Sequence, residues 1–296
     1  MPKANDKPQW EKEQVLHDIY SGKATPERLP KSVYLGTAER LSEGIKKGYK
    51  ALAGVSFDSP DLDMIEALRT NIYMFSAAKT FQETSDLFNQ LVDEDGTVLS
   101  FSDFKKLVDA TFDKYNVDWL EAEYNTTISA SRSASKWVDI EKNKEDRPYL
   151  SYSAVMDEHT CDICAPLDGI TLPVDDPFWA ENGIPQHFNC ECVLEQLDES
   201  DIEGDGVRNS IVKVLNRKRY RISTPAEVRK AVELSGKKKN PMFNYNPGRD
   251  KVIFKDTGKH KHPYFDVPLK YKHFAETNFG LKIPEFNHRL QLEESN

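Results

Sequence analysis

Apolar residues recur through the first half of the chain with a period near that of an α-helix. Leu35, Ala38, Leu41, Ile45 and Tyr49 share one face of residues 32–53. Ile65, Leu68, Ile72 and Phe75 share another, and Phe81, Leu87, Phe88 and Leu91 extend it. Such spacing predicts amphipathic helices. Residues 10–20 read as a short helix that Ser21-Gly22 ends, and Thr25-Pro26-Glu27 has the form of a second helix entry. Ser59-Pro60-Asp61 is a clearer start: a capping hydroxyl, a proline in the first turn and an acid near the positive helix end. Asp95-Gly96 predicts a turn, and Ser102 is expected to cap a helix carrying Phe104, Leu107, Val108 and Phe112. Residues 118–140 predict one more helix, rich in Ala, Ser and Thr, against which neighbours can pack closely. Residues 1–145 thus read as a helical domain.

The pattern changes at Arg147. Residues 148–155 alternate as a strand does. Pro166, Pro173, Pro177 and Pro185, with Gly169 and Gly183, then punctuate short elements and loops. Residues 146–203 predict a small irregular α+β module that needs a staple. Beyond Asp205-Gly206 the chain predicts one helix near residues 225–234, capped by Thr224. It then turns loop-rich through Asn240-Pro241, Asn246-Pro247-Gly248 and Lys261-His262-Pro263. The expected class is α+β: a helical domain (1–145), the stapled module (146–203) and a loop-rich basic region (204–296).

Composition adds two points. With 38% apolar and 30% charged residues, 15 Phe and 12 Tyr, the 296-residue chain has enough apolar surface for real cores. No run approaches the length of a membrane-spanning helix, and the polar first ten residues lack a secretory h-region, so a reducing cytoplasm is expected. The net charge of −9 hides an asymmetry. Residues 1–203 hold 20 Lys/Arg against 39 Asp/Glu, while residues 204–289 hold 20 against 8. A basic third of this kind can meet an acidic partner, or can simply neutralise the acidic part within one fold. Arg217, Lys218, Arg219 and Arg221, with Lys237, Lys238 and Lys239, are candidate contacts to phosphate or to acidic protein. Tyr220, Phe243, Tyr245 and Phe254 are interleaved with them. Charge runs are also commonly solvated faces, and aromatics commonly core.

The four cysteines fall within 32 residues, as Cys161-x2-Cys164-x22-His187-x2-Cys190-x-Cys192. Each half supplies a short-range pair, and thiolate and imidazole suit tetrahedral zinc. Five candidates compete for four places. Cys161 and Cys164 form one pair, and two of His187, Cys190 and Cys192 complete the shell. The alternatives are packing thiols or adventitious disulfides. A full shell has no open position for a substrate, so a structural metal is expected and an enzyme is not. Other motifs weigh little. Asp93-Glu94-Asp95-Gly96 lacks the spacing of a calcium loop, Gly204-Asp205-Gly206 lacks the third glycine of a dinucleotide loop, and Asp175-Asp176 reads as a turn cap.

The stretch Met156-Asp157-Glu158-His159-Thr160-Cys161-Asp162-Ile163-Cys164-Ala165-Pro166-Leu167-Asp168-Gly169, followed by Pro185-Gln186-His187-Phe188-Asn189-Cys190-Glu191-Cys192, resembles the signature of the phage Mu F-like minor head proteins. The resemblance extends over about residues 60–197 and is specific at 157–192. It departs at Gln186, where the family often has a second proline, and at Glu191, where it usually has arginine. It implies a structural minor capsid protein of a tailed bacteriophage, in the virion at or inside the portal vertex, and in the host cytoplasm during assembly. Its implied partners are portal and major capsid proteins and, further, packaged double-stranded DNA. The rival readings are a metal-dependent nuclease or toxin-like effector on the same Cys/His module, and a general nucleic-acid-binding module using the basic third.

Overall fold

The computed structural model describes residues 10–49, 60–155, 161–202 and 220–267. Five helices open the chain: α1 (Lys12–Tyr20), α2 (Lys31–Gly48), α3 (Pro60–Phe88), α4 (Phe101–Asp113) and α5 (Trp119–Lys142). A π-helical turn, Lys114–Asp118, joins α4 to α5 without a break. A three-stranded antiparallel sheet follows, with β1 (Tyr149–Ser153) between β2 (Thr171–Pro173) and β3 (Val193–Leu197). The short helix α6 (Phe178–Glu181) lies between β2 and β3. Helices α7 (Pro225–Gly236) and α8 (Pro247–Asp250) complete the described elements. The α+β class is as expected.

The apolar stripes become the helical core. Leu41 and Ile45 of α2, Leu68, Ile72 and Phe75 of α3, and Phe104 and Val108 of α4 are buried together. The small residues of α5 do what their size permits. Gly44 and Gly48 of α2 face Thr127, Ile128 and Ser131, and a Cβ on Gly48 would lie 2.3 Å from the Ile128 carbonyl oxygen. The two backbones therefore meet where a side chain would separate them.

Three local expectations are corrected. Ser100, not Ser102, caps α4, its hydroxyl accepting from the Asp103 N–H at 3.2 Å. Thr25 and Arg28 close a small bridged turn and start no helix. Helix α2 ends at Gly48, with Tyr49 extended, five residues before the predicted end. The Ser59 start and the Asp205-Gly206 turn lie outside the described residues. Asp93-Glu94-Asp95-Gly96 is a turn, with Asp93 Oδ1 accepting from the N–H groups of Asp95 and Thr97 at 3.0 and 2.8 Å.

β1 is buried at Leu150, Ser151 and Tyr152, so its alternation is lost. The central strand of the sheet has Leu172 and Gln196 on either side of Leu150 and is covered on both faces. Trp137 and Ile140, from the last turns of α5, enter the module core with Leu150, Leu167, Trp179 and Ile184. Helix α5 therefore belongs to both cores.

The basic region does not stand apart from the helical domain. Ile253, Phe254, Tyr264 and Phe265 lie in the helical core, and Phe254 stacks on Phe75 with ring centroids 3.9 Å apart. Asn71 of α3 holds the returning chain. Its amide donates to the Phe254 carbonyl, and its oxygen accepts from the N–H groups of Ile253 and Phe254, each at 2.9 Å. Gly248 of α8 lies against Trp137, where a Cβ would come 2.1 Å from the Trp137 Cβ and 2.4 Å from its Cγ.

Candidate metal centre

Two arms bring the five predicted donors together. The first is the turn Cys161–Cys164. The N–H groups of Cys164 and Ala165 both donate to the Cys161 carbonyl at 3.1 Å, which closes the knuckle. The turn continues into a 3₁₀ segment, Ala165–Leu167. Gly169, with φ of 74°, then reverses the chain toward β1, and its N–H donates to the Tyr152 carbonyl at 2.8 Å. Asp168 adds a clamp by accepting from the Ala154 N–H at 2.9 Å. Leu-Asp-Gly thus works as a hinge that presses the knuckle onto the sheet.

The second arm runs from Gly183 to Cys192. Gln186 is fully buried, and its side-chain amide donates to the Gly183 carbonyl. His187 Nδ1 lies 2.7 Å from the Phe188 carbonyl. A carbonyl can only accept, so Nδ1 carries the proton and Nε2 presents its lone pair. Asn189 takes a left-handed conformation, φ 59°, that swings Cys190 inward. Ser129 of α5 donates to the Cys190 carbonyl at 2.7 Å, so this arm is fastened to the long helix. Glu191, at the position where arginine is the expected residue, is exposed.

Donor atoms of Cys161, Cys164 and His187 lie within 4.8 Å of one another, and so do those of Cys164, Cys190 and Cys192. Cys164 is common to both sets. Its sulfur is 3.9 Å from that of Cys190, and all four cysteines are free thiols. Cys164, Cys190 and Cys192 are buried, while Cys161 is half-buried. The Tyr152 hydroxyl donates to Cys164 Sγ at 3.5 Å.

Proton affinities in the buried set diverge. Hydrogen bonds to Cys164 and Cys192 lower the Cys190 thiol, while the contact with Cys190 and one with Cys192 raise Cys164. The backbone N–H groups of Gln186 and Cys192 also favour the Cys190 thiolate. N–H groups aimed at sulfur and a carbonyl fixing an imidazole tautomer are the outer contacts that orient zinc ligands. Sulfur and imidazole donors without a carboxylate among them fit zinc, and an ion here would draw on Cys164 and on donors from each arm.

The basic candidates fare differently. Arg217, Lys218 and Arg219 lie outside the described residues. Arg221 pairs with Glu227 at 2.6 Å, Lys237 with Glu233 at 3.2 Å, and Lys238 with Asp162 of the knuckle. The expected surface position of Lys239 is corrected. It is buried, and its ammonium donates to the Glu181 carbonyl at 2.8 Å. Burial lowers its pKa to about 8, opposed by the charges of Glu181, Cys164 and Cys190. The α7 helix explains this placement: Val228 and Ala231 pack into the module core, which carries the lysine run over the knuckle. Of the interleaved aromatics, Phe243, Tyr245 and Phe254 are core residues.

A second polar cluster escaped the sequence reading. Lys79 of α3 pairs with Glu123 of α5, both buried. Four residues on, Glu83 accepts from the Asn116 amide at 2.5 Å with one oxygen and leaves the other without a partner. Tyr115 donates to Asp86 at 2.6 Å. Burial raises Glu83 to about 7, against the Asn116 hydrogen bond and the charge of Lys79. The signal available was Lys79 and Glu83 at i,i+4 spacing on a helix otherwise lined with Phe and Ala.

Residues 95–195 match the family model described as Phage Mu protein F like protein. The Mu-like prophage FluMu F protein of Haemophilus influenzae is 30% identical over 77 residues, 26% of this chain and 19% of that protein. The Putative capsid assembly protein F of Escherichia phage Mu is 28% identical over 87 residues, 29% of this chain and 20% of that protein. The chain thus spans about a fifth of the length of these relatives. No solved structure matches it. The matched segment runs from the turn before α4 into β3 and contains all five Cys and His donors, so the resemblance read from the cysteine signature stands: this part of the chain is similar to the Phage Mu protein F like family.

Proposed function

We propose that the protein is a structural component of phage head assembly, a minor capsid protein docked at the portal vertex, whose Cys/His knot binds one structural zinc ion. The observation that carries the reading is the family match across α4, α5 and the knot, with a relative named as a putative capsid assembly protein. The chemistry agrees with a scaffold role. Among the described residues the metal-competent groups consist of cysteine and histidine alone. A nuclease would need a carboxylate-lined metal with an open position. The ion, when bound, would supply a fixed junction between the two arms. The chain's own residues do the rest: Asp168 and Gly169 seat one arm on β1, and Ser129 ties the other to α5.

Zinc content of the purified chain tests the knot. One zinc per chain is expected, reduced in Cys161→Ser and in His187→Ala; a metal-free, folded wild-type chain refutes it. Fractionation of assembled particles tests the assembly role, with the chain expected among purified heads or portal complexes. A chain that never enters particles refutes that role. The described basic residues favour docking to protein over contact with DNA, because Arg221, Lys237 and Lys238 already carry acidic partners. Duplex binding that falls steeply with salt would reverse that preference.

A further inference from the structure

A cleft of about 180 Å³ lies between the α5 helix and the strand β3. Its floor is apolar: Ile140, Ile184, Cys192 and Leu194 are buried there, and Val193 is left 44% exposed at its edge. Its wall is one face of α5, where Arg132 and Lys136 stand one turn apart with Ser133 beside them. Both cations are exposed, and among the described residues neither makes an ion pair or hydrogen bond, although residues 1–203 carry nearly twice as many acids as bases. Two unpaired cations above an apolar floor form a surface complementary to an acidic, partly apolar segment.

Size and charge narrow the occupant. Small-molecule sites typically enclose about 300–1,000 Å³. This cleft is smaller and half open, which suits an anchoring side chain or two and not a cofactor. A nucleic-acid backbone fits poorly. The apolar floor gives a run of phosphates nothing to bind. An extended peptide with an apolar side chain next to an aspartate or glutamate satisfies both features: the apolar group covers Val193 and Leu194, and the carboxylate meets Arg132, whose planar fork favours bidentate pairing.

The geometry points to this cleft as the docking site for an extended, acidic-apolar segment of a partner protein. The inference rests on the assembly reading only in taking the partner to be a protein. The site also adjoins the metal knot, since Cys192 belongs to the cleft floor and to the buried donor set.

The test is selection of a displayed random peptide library on the zinc-replete full chain, followed by titration of the enriched peptides. The expected sequences place Asp or Glu next to Leu, Ile, Val, Phe or Met. Their affinity is expected to fall at least tenfold in Arg132→Glu/Lys136→Glu and to fall in Val193→Asp. These positions are exposed, and circular dichroism checks that the variants fold. Enriched peptides without carboxylates, or ones that bind the double variant equally well, overturn the proposal. So does a duplex oligonucleotide that binds in place of peptide and is lost in the double variant, or a concentration-dependent dimer abolished by it. Peptide binding is read on the isolated chain and particle entry on assembled heads, so failure of one does not count as failure of the other.

Discussion

Replacing Glu83 by glutamine should turn a pH-sensitive core into a pH-insensitive one. The carboxyl is buried between α3, the π-helical turn and α5, and faces the charges of Lys79, Asp86 and Glu123 and the amide of Asn116. Burial dominates and raises its pKa from 4.5 to about 7. A carboxyl whose folded pKa is raised holds its proton more tightly folded than unfolded. Its stabilisation is therefore complete below about pH 4.5 and is lost as pH rises through 7. At about 1.4 kcal/mol for each tenfold in proton affinity, the difference amounts to about 3 kcal/mol by pH 8. Glutamine keeps the shape and an oxygen for the Asn116 amide but cannot ionise. Urea unfolding of both chains from pH 5 to 8.5, with zinc present throughout, should show a difference between them that is smallest at pH 5. The variant should gain about 3 kcal/mol on the wild type by pH 8. Parallel curves, or a variant weaker at every pH, would refute this reasoning.

Lys79→Met should destabilise the chain at pH 8 by about 3–5 kcal/mol, the cost of leaving a buried carboxylate unpaired, and Lys79→Met/Glu123→Gln should recover most of it in the same assay. Gly48→Ala should cost about 1–3 kcal/mol and lower the melting temperature, because the new methyl meets the Ile128 carbonyl at a distance no relaxation of a side chain can relieve. Cys164→Ser should abolish zinc retention in a chelator competition, whereas Cys192→Ser should retain part of it, since Cys164 alone belongs to both donor sets; equal losses would remove Cys164 from its central place. Chelation should loosen residues 161–192 first in hydrogen exchange, and the 68–75 stretch of α3, whose Leu68, Ile72 and Phe75 are buried in the helical core, should stay protected longest.

The features that sequence revealed are those with local causes. The cysteine spacing announced the donor set, because a knuckle must draw its ligands from neighbouring residues. The 3.6 period announced the helices, because each buries one stripe. Three features were hidden because their causes are distant. The polar stretch Lys114–Asp118 looked like a gap between helices, yet it is wound as a π turn that places Tyr115 and Asn116 on Asp86 and Glu83 of another helix. The return of residues 252–267 to the helical core depends on Asn71, more than 180 positions away. Lys239 looks solvated in a run of three lysines, and only the packing of α7 on the module turns it inward.

Helix α5 links the Cys/His cluster to the helical domain. Its first half contributes Glu123 and Tyr124 to the helical domain, its middle contributes Ser129 to the second ligand arm, and its last turns contribute Trp137 and Ile140 to the module. An arm released from the metal would keep the Ser129 bond but lose the junction that opposes the knuckle on β1. The Arg132 and Lys136 face lies on α5 between Ser129 and Trp137, and the opposite wall of its cleft is β3, which begins one residue after Cys192. The cleft thus lies between the helix that fastens the second arm and the strand that follows that arm's last cysteine. Peptide affinity there should fall with zinc removal in parallel with the loss of the knot, and should be insensitive to Glu83→Gln, which acts on α3 and on the π turn that precedes α5.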